Sequence, residues 1–410
     1  MHLLETSIQL NLNVGFSDVR INDVAAALPA LGRSLACQAA AEMLHRTQAE
    51  HLERVFRGDA EIVCHGCGVV HESAQNLVRR GSRGRRLRTS SGDIAFRLLQ
   101  VTCRDCGKTW SPYAELLGLA PRQRIAEELE RKLVEAVTNL SYAKTSRLGA
   151  AWMGSGLSPR TLHRCVQARG RKVQFTPASE CKVVLADGTK VPAGRRLFGT
   201  DVRVSFQILG RSKEHGRSVI QKRIAGWSIG ALGWSQALPP GIASEVIVTD
   251  RESGIPEVIA AQHPGVRHQI CEWHLGHTMN HLMALDHVPV AERRGLVAEL
   301  NAIVWDSRRG GRERLRAFCK RLVQSARAKA MLLDSVSRVL YPKRSSERTT
   351  SPAEREMREI NRRTDVGVQW SVSGVNHMLK LRHAMRLNPD DFERIWTPVR
   401  PVQFTVVPPA

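Results

Sequence analysis

The stretch VIVTDRESGIPEVIAAQHPGVRHQICEWHLGHTM, residues 246–279, decides the fold that we predict for the second half of the chain. It opens with a β-branched run, which suits a buried strand and ends at Asp250. A short helical segment follows, and a second apolar step leads into CEWH at residues 271–274. In such α/β units ligands are held at the carboxyl ends of strands. A single Asp there more often caps the next helix, so the role of Asp250 depends on the rest of the chain.

Charge is the feature of the composition that departs most from an ordinary globular protein. The 410 residues include 61 Lys and Arg against 39 Asp and Glu, a formal net charge of +22. Because the arginines are clustered, this excess favours a polyanionic partner, most commonly nucleic acid, over a generally basic protein that binds anions weakly. The sequence has no run of 18 apolar residues and no secretory signal, which predicts a cytoplasmic protein without a membrane span.

Four of the nine cysteines form two CxxC pairs, Cys64 with Cys67 and Cys103 with Cys106, each followed by a glycine. In a chain without a secretory signal, this pattern favours a metal site over disulfides, and tetrahedral Zn²⁺ takes four thiolates. We therefore predict a structural zinc ribbon over residues 61–118. Residues 1–60 are predicted to form a helical segment, to which no chemistry is assigned.

The stretch between the two cysteine pairs is longer than in a usual ribbon and requires an inserted hairpin or loop. Its arginines and glycines predict a flexible basic loop that contacts phosphates, with a merely solvated loop as the alternative. The arginines concerned are Arg79, Arg80, Arg83, Arg85, Arg86 and Arg88.

Residues 121–172 have the apolar spacing of amphipathic helices. Ser158 is a natural N-cap, and Pro159 suits the first position of a helix. A short helix, a turn and a capped second helix predict a helix-turn-helix that binds DNA, although helical hairpins also occur without that role. The second helix offers to base edges the side chains of Arg160, Thr161, His163 and Arg164.

Two further carboxylates occupy positions comparable to that of Asp250. Asp187 follows an apolar run, and Glu354 lies in the first turn of a helix that begins near Ser351. Each has an ordinary structural explanation by itself, since a carboxylate in the first turn is favoured by the helix dipole. Cutting or transferring a phosphodiester, however, is commonly achieved with two divalent ions about 3.5–4 Å apart, and Mg²⁺ prefers carboxylate ligands. The three carboxylates fit that requirement.

In their order along the chain, LADGTKV, VIVTDRESGI, CEWH and TTSPAEREMREINRRT resemble the DDE catalytic domain of bacterial Mutator-like insertion-sequence transposases. The resemblance assigns residues 180–396 to this domain. It implies an RNase H-like α/β fold with a helical insertion at about 275–350. Beyond the domain, residues 397–410 are predicted to be a Pro-rich tail.

The resemblance also implies the site residues. Asp187, Asp250 and Glu354 would hold two Mg²⁺ or Mn²⁺ ions, with Glu356 and Glu359 as alternatives for the glutamate. Cys271 and His274 match the family's C/DxxH signature and would shape the catalytic core. A histidine metal site is the alternative for this region, formed by His274 with His277 and His281. The basic residues that match the segment after the family's Glu are Arg358, Arg362 and Arg363.

The activity that the resemblance implies is DNA transposition: binding of terminal inverted repeats, metal-dependent strand cleavage and transfer of the freed 3′-hydroxyl into target DNA. The expected partners are double-stranded transposon ends and target DNA. A homodimer or larger synaptic complex is expected because two ends must be held at once. The implied location is the bacterial cytoplasm, at the nucleoid. Two alternatives remain: a non-catalytic zinc-ribbon and helix-turn-helix regulator, and an RNase H-like nuclease without strand transfer.

Overall fold

The computed structural model describes residues 20–194, 199–306, 310–339 and 347–399. It is a mixed α/β structure that divides into two compact units after Cys165. Nearly all of the tail predicted at residues 397–410 lies outside the described residues, as does the beginning of the segment predicted at 1–60.

The first unit combines a long helix, small antiparallel sheets and a set of shorter helices. Its elements in chain order are α1 (Ile21–Arg57), β1 (Ile62–Val63), β2 (Val70–His71), β3 (Leu77–Thr89), β4 (Gly92–Cys103), β5 (Thr109–Trp110), α2 (Tyr113–Leu116), α3 (Glu127–Asn139), α4 (Tyr142–Met153) and α5 (Pro159–Lys172), the last of which continues past the division between the units.

Helix α1 begins in a segment rich in alanine and leucine and ends where Gly58 adopts a left-handed conformation with φ 87°. Its carboxyl-terminal half packs on β4 through Leu52 and Val55. Buried Gln48 bridges to the same strand: its amide accepts from Leu99 N at 3.0 Å and donates to Arg97 O at 3.0 Å. Within the described residues, α1 alone is long and apolar enough to cross a membrane by composition, which for a single helix near the amino terminus is weak evidence.

The insert between the cysteine pairs is a long antiparallel hairpin of β3 and β4, joined by a tight turn and broken by a bulge between Arg79 and Ser82. The expectation of a flexible loop was therefore wrong: the arginines lie on a strand, whose ladder hydrogen bonds fix their directions. The alternative of an inserted hairpin was correct.

The helices expected at residues 121–172 are present as α3, α4 and α5. Ser158 caps α5 as predicted, because its hydroxyl accepts a hydrogen bond from Thr161 N at 3.2 Å. Gly154, with φ 64°, ends α4 and allows the chain to turn toward α5.

The second unit contains one five-stranded sheet of order β10-β9-β6-β7-β8. Its strands are β6 (Val183–Val191), β7 (Thr200–Glu214), β8 (Arg217–Ile229), β9 (Val246–Thr249) and β10 (Arg267–Ile270). The first three form an antiparallel meander, and β9 and β10 run parallel to β6. All four residues of β9 are buried, as expected for a parallel strand that is covered on both faces.

Helices cover the two faces of this sheet and form a separate helical layer. The helices after β8 are α6 (Gly233–Ala237), α7 (Ile255–Gln262), α8 (Glu272–Leu285), α9 (Val290–Trp305), α10 (Gly311–Arg321), α11 (Ala326–Ser335), α12 (Ser351–Thr364), α13 (Val372–Leu387) and α14 (Pro389–Glu393). Apolar residues of α6 and α7 pack with Val184 and Ile247 of the sheet. Helix α12 packs against β6, and α13 packs against β8. Helices α8 to α11 share a core of their own, centred on residues such as Met279 and Phe318.

Candidate functional site

Three parallel strands of the second unit, β6, β9 and β10, lie side by side and carry residues that the sequence singled out. Strands β9 and β10 end directly before Asp250 and Cys271, whereas β6 continues to Val191, so Asp187 lies within its strand and not at the strand end that we expected. Ala186 of β6 pairs with Thr249 of β9, so Asp187 and Asp250 are neighbours immediately beyond this pair. Cys271 follows β10, and its N–H donates to Thr249 O at 2.7 Å. The parallel register therefore places two carboxylates and a thiol in one row, level with the carboxyl ends of β9 and β10, where α/β sheets commonly hold ligands.

Asp187 is the most buried of the carboxylates in this row, with 6% of its surface exposed. Burial, together with the neighbouring charges of Asp250 and Glu354, raises the pKa of its carboxyl to about 7. Gly188 N donates to its Oδ1 at 2.8 Å, which holds the side chain in one orientation. Asp250 is held in a similar way, since its Oδ1 accepts from Glu252 N at 3.0 Å.

His274 lies one turn into α8 and faces the carboxylates. Its Nε2 is 3.9 Å from Glu354 Oε1. Although burial disfavours the imidazolium, hydrogen bonding to Cys271 and the charges of Asp187 and Asp250 raise the pKa of His274 to about 9. The imidazole therefore carries a proton at neutral pH and partly balances the acidic row.

Thr350 joins the parts of this site and was not singled out from the sequence. Its backbone N–H donates to Cys271 Sγ at 3.4 Å, and its hydroxyl lies 3.4 Å from His274 Nδ1 and 3.5 Å from Glu354 Oε1. Although burial disfavours the thiolate, contacts from His274 and Thr350 lower the pKa of Cys271 below its ordinary value. A threonine directly before a helix start is common, so the sequence carried no signal for this role.

The structure distinguishes the three glutamates of α12 that the sequence left open. Glu354 is partly exposed and faces His274. Glu356 is buried and forms ion pairs with Lys222 and Arg386, each at 3.0 Å. The third glutamate, Glu359, is paired with two other arginines of the unit. Of the three, Glu354 is the one whose charge raises the pKa of Asp187.

The four cysteines of the first unit form a cluster that could hold a metal ion such as zinc. Their sulfur atoms all lie within 4.8 Å of one another, with Cys64 Sγ 3.6 Å from Cys106 Sγ and Cys67 Sγ 3.8 Å from Cys103 Sγ. Although burial disfavours the thiolate, the N–H groups of Cys67 and Gly66 lower the pKa of Cys64 to about 6, as a metal ligand requires.

Within the part of the chain that the structure describes, one further group meets the spacing for a single ion, and it shares Cys103 with the first cluster. Among the described residues, His71, Cys103 and Asp105 also bring their ligand atoms within 4.8 Å of one another. The carboxylates of Asp187, Asp250 and Glu354 are not such a group. The same holds for the alternative histidine site at His274, His277 and His281.

A strongly basic groove of about 800 Å³ lies in the first unit, and we call it the arginine groove. It is bounded by β3, by residues 122–125 and by the start of α5. Residues 124–126 pair with the end of β3, since Arg88 N donates to Arg124 O at 2.9 Å and Ala126 N donates to Arg88 O at 2.8 Å. Its described lining contains no acidic residue and seven arginines: Arg83, Arg85, Arg86, Arg88, Arg122, Arg124 and Arg164.

The groove joins two features that the sequence presented separately. Thr161 and Arg164 of the helix-turn-helix line it together with four arginines of the insert. Arg122 and Arg124 were missed, although the segment Pro121-Arg122-Gln123-Arg124 offered a signal: two arginines beside a proline, just before a helix. Arg160 and His163 are exposed on α5 but do not line the groove.

Some residues predicted to contact DNA have other surroundings. Arg79 forms an ion pair with Glu53 and lies over the Phe56 ring, outside the groove lining; Arg80 is exposed. Arg363 is buried, with its guanidinium 5.2 Å from the centre of the Trp370 ring, so its prediction as a DNA contact was wrong. The remaining residues of that set on α12, Arg358 and Arg362, are exposed, and Arg362 pairs with Glu359 at 2.6 Å.

Comparison with known proteins identifies no family for the chain. No protein-family model matches the chain, and no curated protein matches it either. Function is therefore inferred from the side chains and their geometry.

Proposed function

We propose that the chain is a DNA transposase of the DDE type. It would bind the terminal inverted repeats of its element and catalyse divalent-metal-dependent strand cleavage and strand transfer into target DNA. The observation that carries the proposal is the placement of Asp187 on β6 beside Asp250 after β9, with Glu354 and His274 near enough to shift the pKa of Asp187. Asp250 does not cap the following helix, because Gly254 is the N-cap residue of α7 and the Asp250 carboxylate accepts from Glu252 N in the turn before it.

The fold that we propose for the second unit is RNase H-like. Support comes from its mixed sheet, in which an antiparallel meander is followed by two strands parallel to the first. Further support comes from the chain order, since the helices α8 to α11 are inserted between the strand that precedes Cys271 and the helix that carries Glu354. These are the positions that the resemblance implied.

The donor set of the acidic site fits two Mg²⁺ or Mn²⁺ ions. All its donors are carboxylate oxygens, which hard cations prefer. Burial chiefly raises the pKa of Asp187, the charges of Asp250 and Glu354 raise it further, and a bound cation would favour the ionised form. The ligand atoms of the three carboxylates do not all lie within 4.8 Å of one another, so the proposal of two ions rests on the donor type and on the resemblance. Bound divalent ions would activate the attacking oxygen and stabilise the leaving one.

The remaining chemistry falls to the residues around the carboxylates. The N–H groups of Gly188 and Glu252 fix one oxygen each on Asp187 and Asp250, which leaves the other oxygens free to orient toward the substrate side. Protonated His274 would donate a hydrogen bond from Nε2 to a phosphate oxygen. Its orientation is fixed by the contacts of its ring with Cys271 and with the Thr350 hydroxyl. No side-chain nucleophile is required, because water attacks the phosphodiester in the cleavage step and the freed DNA 3′-hydroxyl attacks target DNA in the transfer step.

We propose that the first unit binds the transposon ends. The arginine groove supplies a dense positive surface for phosphates, and α5 presents Arg160 and His163 on an exposed face for base edges. A structural Zn²⁺ at the four cysteines would fix the base of the β3–β4 hairpin that carries the arginines. The expected assembly is a homodimer or larger complex at the bacterial nucleoid, since two ends must be joined.

DNA cleavage tests the proposal directly. Duplexes carrying the inverted repeats that flank the gene are incubated with Mg²⁺ or Mn²⁺, the wild-type chain or Asp250→Asn, and a target plasmid. We expect nicking at the repeat ends and joined products with the wild-type chain. We expect neither product with the variant. It should lose several kcal/mol of transition-state stabilisation, which corresponds to a cleavage rate lower by about 100-fold or more.

Each alternative has its own outcome in this experiment. Undiminished cleavage by Asp250→Asn would remove the catalytic assignment. Tight binding without any cleavage would favour a non-catalytic regulator. Persistent nicks without joined products would favour an RNase H-like nuclease.

A further inference from the structure

A pocket of about 500 Å³ opens between α8 and α9 and has no role in the chemistry described so far. Two tryptophans line it, Trp273 from α8 and Trp305 from the end of α9. They remain 46% and 52% exposed, respectively, although tryptophans bury a large apolar area when a partner is available. Such a pair of exposed rings around one concave surface is a common mark of a binding site.

The rest of the pocket mixes apolar side chains, Val297 and Ala298, with polar and basic ones from both helices. His277 stacks on Trp273, with ring centroids 5.0 Å apart and planes 16° from parallel. Arg294 and Asn301 contribute from α9. The two helices approach closely at its floor, because a Cβ on Gly276 would lie only 2.8 Å from Asn301 Oδ1. A flat aromatic wall, an amide and a guanidinium therefore surround a space of fixed shape.

The pocket lies directly beside the acidic site. The ring of Trp273 is 4.9 Å from that of His274, centroid to centroid. His274 Nε2 is in turn 3.9 Å from Glu354 Oε1. A nucleotide whose phosphate is held at His274 would therefore have its base within reach of the Trp273 wall.

We propose that this pocket takes one unstacked DNA base next to the phosphate that is cut, which rests on the proposed function. Base–aromatic stacking tolerates any base, because every base has a π-face. Arg294 suits the neighbouring phosphate, and the Asn301 amide can bond a base edge. An apolar peptide side chain would also fill the space, since much of the lining is apolar, but the contact of Trp273 with His274 of the acidic site and the net charge of +22 favour the nucleic acid.

Photochemical cross-linking identifies the occupant. A duplex repeat end is prepared with 5-iododeoxyuridine placed in turn at each nucleotide around the cleavage site and is irradiated with the wild-type chain. We expect one or two adjacent positions to cross-link, and we expect mass spectrometry to locate the adduct at Trp273 or Trp305. Cross-links confined to other parts of the chain would contradict the pocket.

Cleavage rates provide the second measurement. We expect Trp273→Ala and Trp305→Ala each to slow single-turnover cleavage about 5- to 150-fold, the value of one base–aromatic stack. An abasic site at the cross-linked position should slow the wild-type chain similarly and the variants no further. Leu285→Ala is the matched control, since Leu285 is 48% exposed on the same helix and lies outside the pocket.

The outcomes separate the pocket from the proposed function. Cross-linking of the wild-type chain at the tryptophans without DNA cleavage would support the base-binding pocket and contradict the proposed catalytic function. Equal cleavage rates for the wild-type chain and both tryptophan variants would contradict the base-binding pocket and leave the proposed catalytic function supported. A wild-type chain that binds no DNA would contradict both the pocket and the proposed function.

Discussion

Replacing three arginines of the groove should change the salt dependence of DNA binding by a calculable amount. The perturbation is the triple substitution of Arg83, Arg85 and Arg86 by Ala, on one strand of the hairpin. Each Lys or Arg that neutralises a phosphate contributes about −0.9 to the slope of log K against log salt concentration. If all seven arginines of the groove reach phosphates, the slope of the wild-type chain is about −6, and that of the triple variant is about −4.

The assay is fluorescence anisotropy with a labelled duplex of arbitrary sequence, because phosphate contacts do not depend on base identity. Between about 50 and 200 mM salt, the affinity of the wild-type chain should fall about 6,000-fold and that of the triple variant only about 150-fold. The variant should also bind more weakly at every salt concentration.

A charge-matched control removes three arginines of the same unit that do not line the groove: Arg46, Arg54 and Arg57 of α1. The control should keep a slope close to that of the wild-type chain. If the slope of the groove variant were unchanged, or if the control changed it equally, the groove would not be the phosphate-binding surface.

Three further results are expected. Glu354→Gln should reduce DNA cleavage at little cost in stability. Glu356→Gln should lower the free energy of unfolding by about 3 kcal/mol, because it leaves the buried Lys222 side chain without its carboxylate, while partly exposed Arg386 contributes less; equal losses in urea denaturation would contradict this. Freshly reduced protein should contain one zinc per chain by metal analysis, and Cys103→Ser should lose it; a metal-free wild-type chain would refute the ribbon. Burial lowers the pKa of His383 to about 4, so the imidazole binds a proton more readily in the unfolded chain than in the folded one. The contribution of neutral His383 to the free energy of unfolding is therefore complete above about pH 6.5. It is lost as the pH falls toward 4, by about 3 kcal/mol. The urea midpoint of His383→Asn should depend less on pH in this window, and an identical dependence would contradict the argument.

The sequence carried the local information about the site. Period and β-branching predicted the strand that ends at Asp250, and Ser158 predicted the start of α5, because both depend on interactions within a few residues. The CxxC spacing predicted the cysteine cluster, since each turn places two thiols together without help from the rest of the chain. These features are properties of short segments, so a single sequence contains them.

The tertiary structure decided what depends on partners distant along the chain. The choice of Glu354 over Glu356 follows from Lys222 and Arg386, which neutralise the buried glutamate from other elements. Thr350 gained its role only because the chain returns to Cys271, 79 residues earlier. Arg363 looked like its neighbours in the sequence, but the helix turns it toward Trp370 and away from solvent.

The stretch at residues 246–279 shows where that division lies. Its residues alone predicted a strand, a short helical segment and a second apolar step, because hydrophobic period is local, and the structure shows that this second step is strand β10. That Asp250 stands beside Asp187 required the parallel register of β9 on β6, which a sequence without its fold does not specify. That Trp273 borders a pocket required α9 to pack against α8, since a helix does not choose its neighbour by its own period.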